Sequence, residues 1–197
     1  MARDTGKHNT GLAMAWVALL LLAGCASSGS EIDTAGTSVH PAALMAAVQA
    51  NEDREVLNLL TQGVDPNHQA DTAQTPLMVA AANGNRRIVQ LLLAAGARVN
   101  AQNAEGYTPV IQAAEQGHLS VVRALLAAGA NVNVSQGGES LLMKVVGSGD
   151  LLTAEMLLAA GADVRYRARD GRTALSVAQA NRNPDLEMLL VQAGAAR

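Results

Sequence analysis

Apolar residues in this chain come in short clusters separated by polar turns. Between Thr75 and Gly96, the first cluster is PLMVAAAN and the second is NRRIVQLLLAAG, with its apolar residues at the spacing of one helix face. Thr75 is suited to cap the first helix, and a glycine at position 84 separates the two. The pattern predicts two short helices joined by a turn, neither of which could bury its apolar face alone.

The same two-helix unit recurs at a nearly constant distance. The residues that open the first helix are Thr75, Thr108, Ser140 and Thr173, and those that end the units are Gly63, Gly96, Gly129, Gly161 and Gly194. The glycine steps are 33, 33, 32 and 33 residues, and the one missing residue falls in a loop between positions 133 and 138. A period of this length predicts a solenoid of stacked units.

The stretches TPLMVAAANGNRRIVQLLLAAGARVNAQ and GYTPVIQAAEQGHLSVVRALLAAGANVN resemble ankyrin repeats. The resemblance implies an all-α ankyrin-repeat solenoid of about five helix-turn-helix units with short β-hairpin connections. We expect the repeat domain at 39–197, with units at about 39–69, 70–102, 103–134, 135–166 and 167–197. The histidine of the family's Thr-Pro-Leu-His turn is replaced here, which predicts an apolar ladder in its place; the residues are Met45, Met78, Ile111, Met143 and Ser176. The end units are atypical, as closing a solenoid requires.

The N-terminus has the pattern of a secretory signal. Basic residues precede an apolar run at about 12–22, which is too short to span a membrane. Leu22-Ala23-Gly24-Cys25 resembles the lipobox of bacterial lipoproteins, which implies removal of residues 1–24 and a lipid on Cys25; the alternative is an ordinary signal peptide with a chance cysteine. Residues 25–38 are then the lipidated cysteine and a flexible tether. We expect lipid anchoring at the periplasmic face of the outer membrane, with soluble periplasmic or inner-membrane-anchored protein as alternatives.

Composition narrows the classes of function. The formal net charge is −3, and no long basic run favours nucleic acid. The chain has no Phe, two Tyr and one Trp, which is few for an enzyme pocket, and no nucleophile elbow or phosphate loop is present. His40, His68 and His118 are far apart in sequence. We therefore predict no enzyme activity, no cofactor and no metal.

Ankyrin repeats imply that hairpin tips and first helices line a concave groove for a partner protein. The segment DVRYRARDGRT places three arginines at alternate positions around a tyrosine, and both residue types are frequent at interface hot spots. An acidic patch on a partner protein would complement these arginines, and an anionic lipid headgroup would fit them less well. The alternative is that this segment binds nothing and is simply exposed to solvent. The candidate partner-binding residues are Asp71, Gln74, Glu105, Tyr107, Glu139, Arg165, Tyr166, Arg167, Arg169 and Arg172.

These observations predict a membrane-tethered, monomeric ankyrin-repeat protein that binds another protein, as a scaffold or stabiliser, and touches the membrane only through its lipid. An alternative is an inhibitor or immunity-type protein that occludes a periplasmic enzyme or toxin. Support of peroxide defence through a catalase-type partner is a weaker alternative, drawn from fold-level analogy alone.

Overall fold

The computed structural model describes residues 41–69 and 73–195. Within these ranges lie ten helices and one pair of strands: α1 Pro41–Gln49, α2 Asp53–Thr61, α3 Pro76–Ala82, α4 Arg86–Ala94, α5 Pro109–Glu115, α6 Leu119–Ala127, β1 Ser135–Gln136, β2 Glu139–Ser140, α7 Leu141–Ser148, α8 Leu151–Ala159, α9 Ala174–Ala180 and α10 Pro184–Gln192. None of these helices is long and apolar enough to cross a membrane. The predicted signal peptide, Cys25, the tether and Asp71 fall outside the described residues.

Seven of the ten described helices begin at a residue whose side chain accepts a free amide N–H of the first turn. Thr75 Oγ1 accepts a hydrogen bond from the Met78 N–H at 3.2 Å, and Pro76 occupies the first helical turn, as predicted. The same cap recurs in later units, from Ile111 to Thr108, from Met143 to Ser140 and from Ser176 to Thr173. Gly84 ends the α3 turn with φ +73°, which glycine adopts without strain.

The helices stack in two rows, which confirms the predicted five-unit solenoid. The first helices α1, α3, α5, α7 and α9 contact one another in sequence order, and the second helices α2, α4, α6, α8 and α10 form the other row. Within each unit the two helices pack on each other, so a single apolar core runs along the stack. Every inner unit is thereby covered on both sides, which is how such short helices are stabilised.

The predicted apolar ladder is also present. Met78 and Ile111 are fully buried, and Met45 and Met143 are at most 7% exposed. In the last unit the ladder stops at Ser176, whose hydroxyl accepts a hydrogen bond from the Thr173 N–H and completes a capping box. The residue at this position therefore packs in the core in four units and caps a helix in the fifth.

The two end units carry polar residues where inner units are buried. Glu55 is exposed, whereas Ile88 at the equivalent position of the second unit is fully buried. At the other end, Gln179 and Glu187 occupy the positions of Val146 and of the equally buried alanine at 154. Each end of the core thus meets water through side chains that tolerate it.

The loops that connect the units differ from the predicted β-hairpins in one respect. In the part of the chain that the structure describes, strands form only in the fourth unit, where β1 and β2 pair with Ser135 opposite Ser140. Gly137 and Gly138 make that tight turn with φ of +66° and +90°, a conformation that glycine adopts readily. The third and fifth loops are one residue longer, and each closes through backbone hydrogen bonds together with side chain to backbone hydrogen bonds.

Candidate partner-binding surface

The strongest candidate surface lies on the last two loops of the stack. We call loops 132–140 and 162–172 the basic arms, because together they hold four arginines against three carboxylates. The first arm leads directly into α7, and the second ends shortly before α9.

Arg172 forms two ion pairs, and the one with Glu139 joins the two basic arms. Its Nη2 lies 2.6 Å from Glu139 Oε1 on the other arm, and its Nε lies 2.6 Å from Asp170 Oδ2. Asp170 Oδ1 also accepts the Arg172 backbone N–H at 3.0 Å. The hydrogen bond from the guanidinium lowers the pKa of Asp170, and the same contact raises the pKa of Arg172. Two predicted partner-binding residues, Glu139 and Arg172, are thus bound to each other and hold the arms together.

The other three arginines of the basic arms are differently placed. Arg165, Arg167 and Arg169 are exposed, and none of them has an ion-pair partner among the described residues. Between them Tyr166 is half-buried and Ala168 is buried, so exposure alternates as predicted although no strand forms there. Instead the loop closes as a turn in which the Ala168 N–H donates to the Arg172 carbonyl and the Gly171 N–H donates to the Ala168 carbonyl, both at 2.9 Å. The result is a row of free guanidinium groups on a fixed loop.

Tyr166 forms a second link between the basic arms. Its hydroxyl donates to the Gly138 carbonyl oxygen at 3.2 Å. Below this bond lies a cavity of about 230 Å³ between the two arms, lined by Val132, Asn133, Val134, Ser140, Leu142, Ala162, Asp163 and Tyr166. The shortened fourth loop is visible in the sequence as a deletion, but the cavity beside it could not be predicted from that deletion.

The remaining candidate residues lie on other loops. Glu105 is exposed at the third loop, where the buried Asn103 accepts backbone N–H bonds from Glu105 and Tyr107 at 3.1 and 2.8 Å. Tyr107 is half-buried and packs against the core. Gln74 is half-buried one unit further away. The structure therefore places Glu105 one loop away from the basic arms and does not bring Gln74 to them.

Asparagines that end the units tie each unit to the next. Asn100 donates from Nδ2 to the Gly129 carbonyl at 3.2 Å and accepts the Asn131 N–H at 2.8 Å. Asn67 and Asn133 make the same two bonds one unit earlier and one unit later. Arg165 stands at the next equivalent position, so this asparagine ladder stops at the basic arms and a free cation takes its place.

Other side chains also make contacts between units, among them His118 and Lys144. The His118 ring lies over Gly84, where an added Cβ would come within 2.6 Å of it, and its Nε2 is 2.9 Å from the Ala82 carbonyl oxygen. Lys144 on α7 forms a partly buried ion pair of 2.8 Å with Glu115 on α5. The contacts of His118 and Lys144 therefore serve packing between units.

No group of three or more potential metal ligands occurs among the described residues.

Comparison with known proteins supports the same architecture. The family model described as "Ankyrin repeats (3 copies)" matches residues 44–136. No curated protein matches the chain. Helices α7 to α10, beyond the matched range, repeat the same two-row stacking. The fold is therefore an ankyrin-repeat solenoid, a scaffold for protein–protein interaction that is typically non-catalytic.

Proposed function

We propose that this protein binds an acidic segment of another protein through its basic arms while a lipid on Cys25 holds it at the periplasmic face of the outer membrane. The observation that carries the binding part is the row of Arg165, Arg167 and Arg169, which are exposed and have no ion-pair partner in the described ranges. Arginine is enriched at interface cores because its guanidinium binds carboxylates with two parallel hydrogen bonds.

The charge balance favours an acidic partner. The basic arms hold four arginines and three acidic residues, so their formal charge is +1 in a chain whose net charge is −3. Arg172 is engaged with Glu139 and Asp170, which leaves three free arginines beside the single carboxylate of Asp163. A surface of this sign steers an acidic partner toward it and disfavours basic ones.

Pre-organisation supports the same proposal. Three contacts hold the loops before any partner arrives: the Arg172–Glu139 ion pair, the Tyr166 hydrogen bond to Gly138, and the side chain of Asn133, which donates to the Gly161 carbonyl and accepts the Asp163 N–H. Ordering a loop on binding is costly, so loops that are already fixed leave more of the contact energy for affinity.

The tether completes the proposal. The 13 residues from 26 to 38 are small and polar, and fully extended they reach at most roughly 45 Å. A lipid on Cys25 would keep the repeats within that distance of the membrane surface. Confinement of this kind raises the effective concentration of a binder for partners near the same membrane.

The test is cross-linking in intact bacteria that express the tagged protein. One variant changes Arg165, Arg167 and Arg169 to Glu. The matched control reverses three exposed arginines on second helices of other units, Arg54, Arg86 and Arg123. We expect a dominant captured protein with an acidic surface that is lost in the first variant and retained in the control.

A partner that both variants capture equally would refute the role of the basic arms. A diffuse set of abundant proteins, unchanged by either variant, would refute specific binding by this surface. For a captured partner, binding should weaken as salt rises, because surface charges are screened within about 10 Å at 0.1 M ionic strength.

A further inference from the structure

The cavity between the basic arms is mainly apolar and is framed by bonds between units. Its apolar walls come from Val132, Val134, Leu142, Ala162 and the ring of Tyr166. One edge is the Tyr166 hydrogen bond to Gly138, and the other is the pair of bonds that Asn133 makes to the next unit. These bonds keep the two arms at a fixed separation, so the cavity is part of the folded structure.

Two local features of the sequence explain why the cavity lies here. The fourth loop is one residue shorter than the third, and it turns back tightly at Gly137-Gly138. The fifth loop carries Tyr166 at the position that Val134 occupies one unit earlier and Ala101 two units earlier. A long aromatic side chain therefore reaches across to a short loop, and its ring walls off space that the smaller residues at this position would not enclose.

The size of the cavity fits one side chain. Sites for whole small-molecule ligands are usually about 300 to 1,000 Å³. An engineered apolar protein cavity of about 150 Å³ is already large enough to bind benzene. At 230 Å³, the space between the arms suits a single leucine-sized or phenylalanine-sized group.

The charges around the cavity indicate what carries that group. Arg165 and Arg167 flank Tyr166 in sequence, are exposed, and have no ion-pair partner among the described residues. Asp163 is the one carboxylate in the lining, and its Oδ1 accepts the Arg165 backbone N–H at 2.9 Å. A partner segment that placed an apolar side chain in the cavity would thus meet a loop that also carries exposed guanidinium groups, which favour carboxylates in the same segment.

We propose that the cavity is an anchor site for one leucine-sized side chain in an acidic segment of the partner protein. This inference rests on the proposed function and adds a specificity determinant to it. The arginines select an acidic segment, and the cavity selects the position of an apolar residue within it. Anchors of this kind carry a large share of the affinity in protein interfaces.

The experiment uses the full chain in detergent micelles and two fluorescently labelled peptides. One peptide has a single leucine between runs of glutamate, and the other has alanine in its place. Fluorescence anisotropy gives the dissociation constants. We expect the leucine peptide to bind about tenfold more tightly, because it buries the additional methylene groups.

Variants of the cavity test whether the difference in affinity between the two peptides arises there. Ala162→Leu fills the space, and Ala130→Leu is the matched control at the equivalent position one unit earlier. Tyr166→Val removes the aromatic wall and installs the residue found there in the preceding unit, so it provides a second route should the filled variant fail to fold. We expect Ala162→Leu and Tyr166→Val to abolish the preference for leucine and Ala130→Leu to retain it.

Each other outcome overturns a definite part of the reasoning. Equal affinity for the two peptides, or a leucine preference that survives both cavity variants, would overturn the anchor site and leave acidic binding by the arginines in place. Failure of both peptides to bind the unmodified chain would overturn the acidic-partner proposal and the anchor site together.

Discussion

Replacing Asn100 by alanine should weaken the contact between the second unit and the third. The side chain is exposed, and it bridges to the Gly129 carbonyl at 3.2 Å and to the Asn131 N–H at 2.8 Å. A typical hydrogen bond in a folded protein contributes a net 0.5–1.5 kcal/mol or so. Both bonds are near solvent, so the backbone groups left behind can bind water and the loss stays near the lower end. We expect the free energy of unfolding to fall by about 1–2 kcal/mol.

The measurement is urea unfolding followed by the helical circular dichroism signal. For a chain of this size, a loss of 1 kcal/mol lowers the melting temperature by roughly 2–4 °C, so thermal unfolding gives a second reading. The matched control is Asn131→Ala, because Asn131 is equally exposed and its side chain accepts only the N–H of Asn133, two residues away.

Comparing the two variants separates the stability contributed by a contact between units from that contributed by a local turn. In a stack stabilised by nearest-neighbour interfaces, the loss of one interface bond should also make unfolding less cooperative. If Asn100→Ala costs no more than Asn131→Ala, the asparagine ladder is not a significant source of coupling between units, and the reasoning from its geometry fails.

Three further predictions test the core, the ion pairs and the anchor. Leu125→Ala, at a fully buried position of α6, should cost about 2–5 kcal/mol in urea unfolding, whereas the half-buried Leu126→Ala should cost clearly less; equal losses would contradict the burial argument. Arg172→Gln should raise the pKa of Asp170 toward its ordinary value in an NMR titration. Because the folded protein lowers that pKa, the ionised Asp170 stabilises the fold above the unfolded pKa, and this stabilisation is lost as the pH falls through the folded value. An unmoved pKa would mean that the ion pair is absent in solution. Cys25→Ser should move the protein from the membrane fraction to the soluble fraction, and a variant that stays with the membrane would refute the lipid anchor.

The parts of the fold that depend on neighbouring residues could be predicted from the sequence. A threonine followed by proline is sufficient to start α3 and α5, because the cap and the missing N–H act within one turn. Glycine with positive φ ends a helix by a similarly local requirement, as at Gly84. The period of the repeat then fixes which helices stack, because each apolar face has only its neighbours to cover it.

Contacts between units were harder to predict. Arg172 looked like a surface cation in the sequence, yet it binds Glu139, 33 residues earlier. His118 reaches Ala82, 36 residues earlier, and the cavity depends on how far Tyr166 reaches over a shortened loop. In each case the partner is about one repeat away, and the side-chain geometry decides whether the two groups meet.

The polar faces of the first and last units set a limit on self-assembly. Stacking one copy end to end on another would press Glu55 against the surface that holds Gln179 and Glu187. Two carboxylates would then be desolvated together in an otherwise apolar contact, and the cost of burying unpaired charge would oppose the union. An array built from identical interfaces is in principle open to polymerisation into fibres, and here two glutamates oppose that growth at the ends of the stack.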